Sequence, residues 1–223
     1  MLDAIIFDMD GLLVDSEPCW EEARRQLARE VGQTWRAEDT RACMGVSTLT
    51  WAKYMIQCLE LDLTPDEVQA RIVGNMLAIY AERIPYLPGA VEAVALAGRH
   101  YPIGLASGSH HSLIEAVVND TLMRDKFRAV VCADNVPAGK PAPDVYLEAA
   151  RQLNVDPRRC MCLEDSANGI LAGKAAGMKV IAVPDPRFAP RAEVVQQADI
   201  VLASLRDFNL NIIHSLENTD AAL

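Results

Sequence analysis

The feature that most constrains this chain is an alternation that begins at Ala90. Ala90 to Ala97 has a helical pattern, and YPIGLASGS follows as a short apolar run ending in small polar residues. Leu113 to Leu122 is again helical and RAVVCA apolar, then Pro143 to Leu153 helical and RCMCLEDS apolar. Gly169 to Ala176 is helical, MKVIAVP apolar, and DIVLAS near Asp199 to Ser204 closes the series. Near-continuous apolar runs suit strands buried on both faces, and the helices between them supply crossovers. The pattern predicts a mostly parallel α/β sheet with helices on both faces. A further apolar run, Leu2 to Phe7, stops at Asp8 and adds a strand from the other end of the chain. Polar residues gather at the C-terminal ends of these runs, where open parallel sheets bind their ligands.

Between the first run and the alternating region the rhythm is only helical. WEEARRQLAREV brings Trp20, Ala23, Leu27 and Val31 close to one face, with Gly32 as the stop. In LTPDEVQARIVGNMLAIYAER, Thr64 is the cap, Pro65 takes the first helical position and Glu67 completes a capping box. Ile72, Met76, Ile79 and Tyr80 form its apolar stripe, while Gly74 weakens the middle. Pro85, Pro88 and Gly89 then break the pattern. The expected architecture is a Rossmann-like α/β core from residues 1–14 and 85–223, carrying an inserted all-helical domain at 15–84.

Composition excludes several functions. Lys and Arg number 21 against 31 Asp and Glu, so the net charge is −10. That charge disfavours nonspecific binding to nucleic acid or an anionic membrane but leaves room for a local anion pocket. The six cysteines, at 19, 43, 58, 132, 160 and 162, have no CxxC spacing and are too sparse for a disulfide scaffold. The N-terminus MLDAIIFDMDG does not read as a signal peptide, and no run approaches a membrane span. The expected compartment is the cytoplasm. The oligomeric state is left open, and a monomer is compatible with everything above.

Four polar clusters follow apolar runs: Asp8-Met9-Asp10-Gly11, Ser107-Gly108-Ser109, Gly139-Lys140-Pro141 and Glu164-Asp165-Ser166. Each has an ordinary reading taken alone. DxDG is a capped turn, Glu-Asp-Ser a helix N-terminus, and Lys140 a solvated surface group. Converging at successive strand ends, they assemble carboxylates, a lysine and a hydroxyl around one point. Carboxylate and carbonyl oxygens there suit Mg²⁺ and leave coordination positions for a substrate phosphate. Ser107, Lys140 and the backbone N–H groups of Gly108 and Ser109 suit phosphate oxygens. Asp8 is then placed to attack phosphorus, and Asp10 to handle the proton on the leaving oxygen.

FDMDGLLVDSEP, LASGS, GKPAPDVY and LEDSANGI…KAAGM resemble the four signature motifs of the haloacid-dehalogenase-like hydrolase superfamily, closest to its beta-phosphoglucomutase-like phosphatases. The resemblance spans nearly the whole chain, with the insertion corresponding to the family's helical cap. It implies Asp8 as a nucleophile forming an aspartyl-phosphate and Asp10 as general acid/base that also lends its backbone carbonyl to Mg²⁺. It implies Ser107 and Lys140 as phosphoryl-binding residues, Lys140 also restraining Asp8. Asp165 is the implied metal ligand, with Glu164 assisting. Asp10 argues against a true dehalogenase, which needs neither this acid nor Mg²⁺.

Within the resemblance, a phosphatase of sugar or sugar-alcohol phosphates is favoured over a beta-phosphoglucomutase-type phosphomutase. The mutase's cap histidine would align with Trp20, and its phosphate-gripping arginine with Thr48 in MGVST. The second anion clamp is therefore missing. Candidates for substrate specificity are Glu17, Trp20 and Asn168, with packing of Trp20 inside the cap and helix capping by Asn168 as the competing readings. His110 and His111 stand outside the mechanism. Two readings outside the enzyme class are a non-catalytic α/β regulator and a response-regulator-like phosphoacceptor, which needs no helical insertion.

Overall fold

Ala4–Phe7 forms β1, an uninterrupted AIIF run with all four residues buried. Behind it the computed structural model, which describes residues 1–44 and 46–219, divides into two units: Met1–Asp15 with Pro85–Leu223, and Ser16–Ile84. The inner ends of the first unit meet directly, because the Asp15 N–H donates to the Pro85 carbonyl at 2.9 Å.

Ser16–Ile84 contains, among the described residues, only helices: α1 (Glu17–Glu30), α2 (Ala37–Cys43), α3 (Thr48–Cys58) and α4 (Pro65–Glu82). The α4 start is the capping box read from Thr64 and Glu67. The Glu67 N–H donates to Thr64 Oγ1 at 3.3 Å, and the Thr64 N–H donates to the Glu67 carboxylate at 2.7 Å. Its buried face is Val68, Ile72, Val73, Met76 and Tyr80, so Ile79 lies at the edge of the stripe. On α1 the buried residues are Cys19, Ala23, Arg24, Leu27 and Ala28. Val31 is exposed because the helix ends before it, and Trp20 is only half buried.

In the other unit, α5 (Ala90–His100) leads to β2 (Ile103–Ser107), and α6 (His111–Val118) to β3 (Ala129–Cys132). Next come α7 (Asp144–Leu153), β4 (Cys160–Glu164), α8 (Ala167–Ala175) and β5 (Lys179–Ala182), then α9 (Ala192–Val195), β6 (Ile200–Val201) and α10 (Leu210–Thr219). Among the described residues all strand pairings within the sheet are parallel and the order is β3-β2-β1-β4-β5-β6, a Rossmann-like sheet with helices on both sides. Alternate residues face opposite layers. Ala4 and Ile6 join Cys160, Cys162, Val180, Tyr146 and Ile170 in one core, whereas Phe7 meets Phe208 edge-on at 6.4 Å.

Three expectations need adjusting. DIVLAS supplies only a two-residue edge strand with Val201 half exposed, since an edge receives pairing from one side alone. α6 stops at Val118 rather than Leu122, capped by Asn119. The structure adds α9, a single turn, and α10 to the expected elements.

The topology positions everything that follows. The chain builds β1, β2 and β3 outward on one side, then returns to lay β4 against the other edge of β1. The direction of winding reverses between β1 and β4, and a crevice at the strand C-termini results from that reversal. Asp8 follows β1 and Glu164 ends β4 at this point; the Asp8 N–H donates to the Leu163 carbonyl at 3.1 Å.

Candidate active site

Lys140 is the hub of the crevice. It reaches in from the loop ahead of α7, and its ammonium donates to Asp8 Oδ1 at 2.5 Å, Glu164 Oε1 at 2.6 Å and the Ala106 carbonyl at 3.0 Å. Those three bonds use all three protons of the ammonium. The Tyr146 ring lies beside it, 4.9 Å from Nζ to the centroid, and the Tyr146 hydroxyl donates to the same Glu164 oxygen at 2.7 Å. Tyr146 is fully buried on α7, so its ring and hydroxyl have one available arrangement.

Glu164 is also fully buried and its second oxygen is equally engaged. Oε2 accepts from the Asp165 N–H (3.2 Å), the Ser166 N–H (3.3 Å) and the Ser166 hydroxyl (3.1 Å). Ser166 caps α8 by accepting from the Gly169 N–H at 3.1 Å. The Glu-Asp-Ser triplet is therefore both a helix start and a carboxylate cluster.

On the other side of Asp8, the Asp10 carboxylate is held by the loop after β2. Oδ2 accepts from the Ser107 hydroxyl at 3.1 Å and the Ser109 hydroxyl at 2.7 Å. The Ser109 N–H donates back to Ser107 Oγ at 3.0 Å. Ser107 is fully buried, Ser109 nearly so, and Asp10 Oδ1 is buried with no hydrogen-bond partner among the described residues.

Asp8, Glu164 and Asp165 each offer an oxygen, and the three atoms lie within 4.8 Å of one another. Two glycines make room for this crowding. A Cβ on Gly11, whose φ of +77° is itself a glycine conformation, would overlap the Asp165 carboxylate; a Cβ on Gly169 would overlap that of Glu164. Burial pushes the Asp8 carboxyl up to about 8, Lys140 pulling it down while Glu164 and Asp10 add to the rise. Burial, Glu164 and Asp8 likewise push Asp165 up to about 9. Lys140 is held above its ordinary value, the attraction of Asp8 and Glu164 outweighing burial. Two buried carboxyl groups, Asp8 and Glu164, the half-buried Asp165 and one ammonium gather hard oxygen donors at one point, which fits Mg²⁺.

Asp8, Asp10, Ser107, Lys140, Glu164 and Asp165 thus stand in one bonded network or cluster. Gly108 is exposed beside them, its Cβ position open. Asn168 is exposed on α8 and does not cap it, because Ser166 does. Glu17 and Trp20 belong to the helical unit, where Trp20 packs on Trp51 at 6.3 Å between ring centroids. His110 caps α6 through its ring, and the exposed His111 pairs with Glu115. Ser109, Tyr146, Gly11 and Gly169 carry parts of the site that sequence reasoning missed as such. Tyr146 was visible as the one polar-tipped aromatic on the apolar face of α7. The sequence singles out Ser109 only for its N–H.

A family model for haloacid dehalogenase-like hydrolases matches residues 2–177. The chain belongs to that family and is an enzyme of the hydrolase class. It is 38% identical over 217 residues to hexitol phosphatase B of Escherichia coli K12, covering 92% of this chain and 93% of the relative. Among solved structures it is similar to CbbY of Rhodobacter sphaeroides in complex with xylulose-(1,5)bisphosphate. The TM-score is 0.80 at 28% identity, with 93% of this chain and 96% of that one covered. It is also similar to a provisionally named beta-phosphoglucomutase of Thermotoga maritima. There the TM-score is 0.80 at 26% identity, with 96% and 99% covered.

Proposed function

We propose that this protein is a Mg²⁺-dependent phosphatase that hydrolyses a small phosphorylated metabolite, a sugar or sugar-alcohol phosphate, through an aspartyl-phosphate intermediate. The observation that carries the reading is the pairing of Asp8 with Lys140 at 2.5 Å, at the switch point of the sheet. A carboxylate held this way is aimed by its partner, and the lysine charge lowers repulsion between an anionic nucleophile and an anionic ester.

Asp8 attacks phosphorus while Ser107 and the Gly108 N–H donate to the phosphoryl oxygens, and Lys140, its protons held by Asp8, Glu164 and the Ala106 carbonyl, binds them by its charge. Asp10 gives its proton to the departing ester oxygen, so the alcohol leaves neutral. Asp10, now a carboxylate, then takes a proton from a water that cleaves the aspartyl-phosphate and restores Asp8. Asp8, Asp165 and the Asp10 backbone carbonyl would hold the Mg²⁺. Glu164 assists: with five donors on its two oxygens, it fixes Lys140, Tyr146 and the start of α8. When bound, Mg²⁺ supplies positive charge against the phosphoryl oxygens and offsets the crowded carboxylates. Residues 15–84 act as the cap that selects the substrate and excludes water, with Glu17 and Trp20 as specificity candidates and Asn168 as a candidate from the core. The proposed compartment is the cytoplasm, and the partner is a small phosphate monoester rather than a nucleic acid.

The test is release of free phosphate from hexose, pentose and sugar-alcohol phosphates, nucleotides and beta-glucose-1-phosphate, with Mg²⁺ and with EDTA. Mg²⁺-dependent release from a few small esters supports the phosphatase. The similarity to a beta-phosphoglucomutase-like structure makes the mutase the second reading. No release, with conversion of beta-glucose-1-phosphate to glucose-6-phosphate under bisphosphate priming, would establish that one instead.

A further inference from the structure

Asp10 has two carboxylate oxygens in opposite circumstances. Oδ2 takes two hydroxyl donors, from Ser107 and Ser109, and Oδ1 is buried with none among the described residues. A buried acceptor left without a partner is costly, and such an atom persists where a reactant completes it. We propose that Ser109 is the positioning residue of the proton-transfer step: it anchors Asp10 through Oδ2 and leaves Oδ1 as the atom that delivers and later recovers the proton. The inference rests on the phosphatase reading and deepens it.

The reason for choosing Ser109 over Ser107 is a matter of donor counting. A serine hydroxyl has one proton. Ser107 spends it on Asp10 at 3.1 Å, but its proposed work is to hold a phosphoryl oxygen, and it cannot donate to both. When phosphate claims the Ser107 proton, Ser109 is the hydroxyl that still holds Asp10, and at 2.7 Å it is the shorter of the two bonds. Ser109 is itself anchored at its other two polar groups. Its N–H donates to Ser107 Oγ at 3.0 Å, and its carbonyl accepts from the Cys132 thiol at 3.3 Å. With the side chain nearly buried, its hydroxyl has little freedom to turn away.

In the first half-reaction the Asp8–phosphorus bond forms as the phosphorus–ester-oxygen bond breaks. The proton on Asp10 Oδ1 passes to that oxygen. In the second, water attacks phosphorus, its proton returns to Oδ1 and the Asp8–phosphorus bond breaks. Throughout, Ser109 donates to Oδ2 and transfers nothing. It fixes the direction from which Oδ1 approaches, and such aim is worth a large part of a proton-transfer rate.

The experiment compares wild type, Ser109→Ala and Ser109→Thr on two substrates. One is a sugar-alcohol phosphate, whose alkoxide needs the acid; the other is acetyl phosphate, whose carboxylate leaves without one. The readout is the rate of aspartyl-phosphate formation in single-turnover quench. Ser109→Ala is expected to slow phosphorylation by the alkyl ester about 10- to 100-fold, the worth of one charge-assisted hydrogen bond. With acetyl phosphate it should change less than about threefold, and Ser109→Thr should restore most of the loss because threonine keeps the hydroxyl. Equal losses on both substrates would mean that Ser109 serves phosphate binding or folding, and would overturn the proposal. So would no loss on either. If wild type forms no aspartyl-phosphate from any ester, the phosphatase reading fails separately. Crystal structures of wild type and Ser109→Ala then decide this inference: a displaced Asp10 carboxylate in the variant supports the anchor, and an unmoved one refutes it.

Discussion

Gly169→Ala makes a sharp test of how this site is built. Gly169 lies in the first turn of α8, where alanine is ordinarily worth up to about 1 kcal/mol more than glycine. Here the added methyl would sit on the Glu164 carboxyl group. The end of a glutamate usually swings aside, but this one is fully buried and held by Lys140, Tyr146, the Asp165 and Ser166 N–H groups and the Ser166 hydroxyl. Displacing it strands the buried Tyr146 hydroxyl, at about 1–3 kcal/mol. Overpacking adds about 1–3 kcal/mol, and the helix-propensity gain offsets about 1. The net expectation is a loss of about 3 kcal/mol, or roughly 6–12 °C in Tm for a chain of this size. Gly74→Ala is the control. Gly74 is exposed within α4 with nothing near its Cβ position, so the same substitution should stabilise by about 1 kcal/mol. Thermal and urea melts of both variants give the comparison. A Gly169→Ala protein as stable as wild type, or more so, would refute the claim that glycine is there to admit Glu164.

Asp8→Asn should retain the wild-type fold by circular dichroism while phosphate release and phosphoenzyme formation both vanish; residual wild-type turnover would remove Asp8 as nucleophile. Tyr146→Phe deletes one buried donor to Glu164 and should cost about 1–2 kcal/mol in a urea melt, with no loss if the hydroxyl bond is immaterial. The pH dependence of stability has a definite sign. Because the folded values of Asp8 and Asp165 are raised from 3.8 to about 8 and about 9, the folded state holds protons that the unfolded chain releases, and this contribution to stability falls as pH rises through that window. Mg²⁺ requires the deprotonated carboxylates, so its affinity by calorimetry and its Tm gain should both grow from pH 6 to pH 9; a gain independent of pH would place the ion elsewhere.

Some of this architecture is legible in local pattern. The AIIF and CMCLE runs announce buried strands because their hydrophobicity is unbroken, and Thr64-Pro65 announces α4 because caps act within one helical turn. Elements without such a signature escaped. β6 is two residues on an edge, and α9 is a single turn. Periodicity brings Trp20 and Val31 close to the face of Ala23 and Leu27, yet the buried face of α1 holds Arg24 and neither of these two. Its guanidinium lies 5.6 Å and 5.9 Å from the Trp20 and Trp51 ring centroids, a cation–π setting that no hydropathy pattern encodes.

By itself the sequence determined the α/β rhythm, the family, and which residue types stand at the strand ends. Those are properties of neighbours along the chain: periodicity, caps, and motifs of a few residues. Only the tertiary structure decided the strand order that brings Asp8 and Glu164 to one crevice, and the bonds that give each group its work. Lys140 meets Asp8 across 132 positions and Ser109 meets Asp10 across 99. Contacts at such separations depend on how β2 pairs with β1 and β3 with β2, and the room for Asp165 and Glu164 beside them depends on Gly11 and Gly169. Hydrogen-bond saturation of Glu164, and its absence at Asp10 Oδ1, are facts of three-dimensional accounting that linear order does not contain.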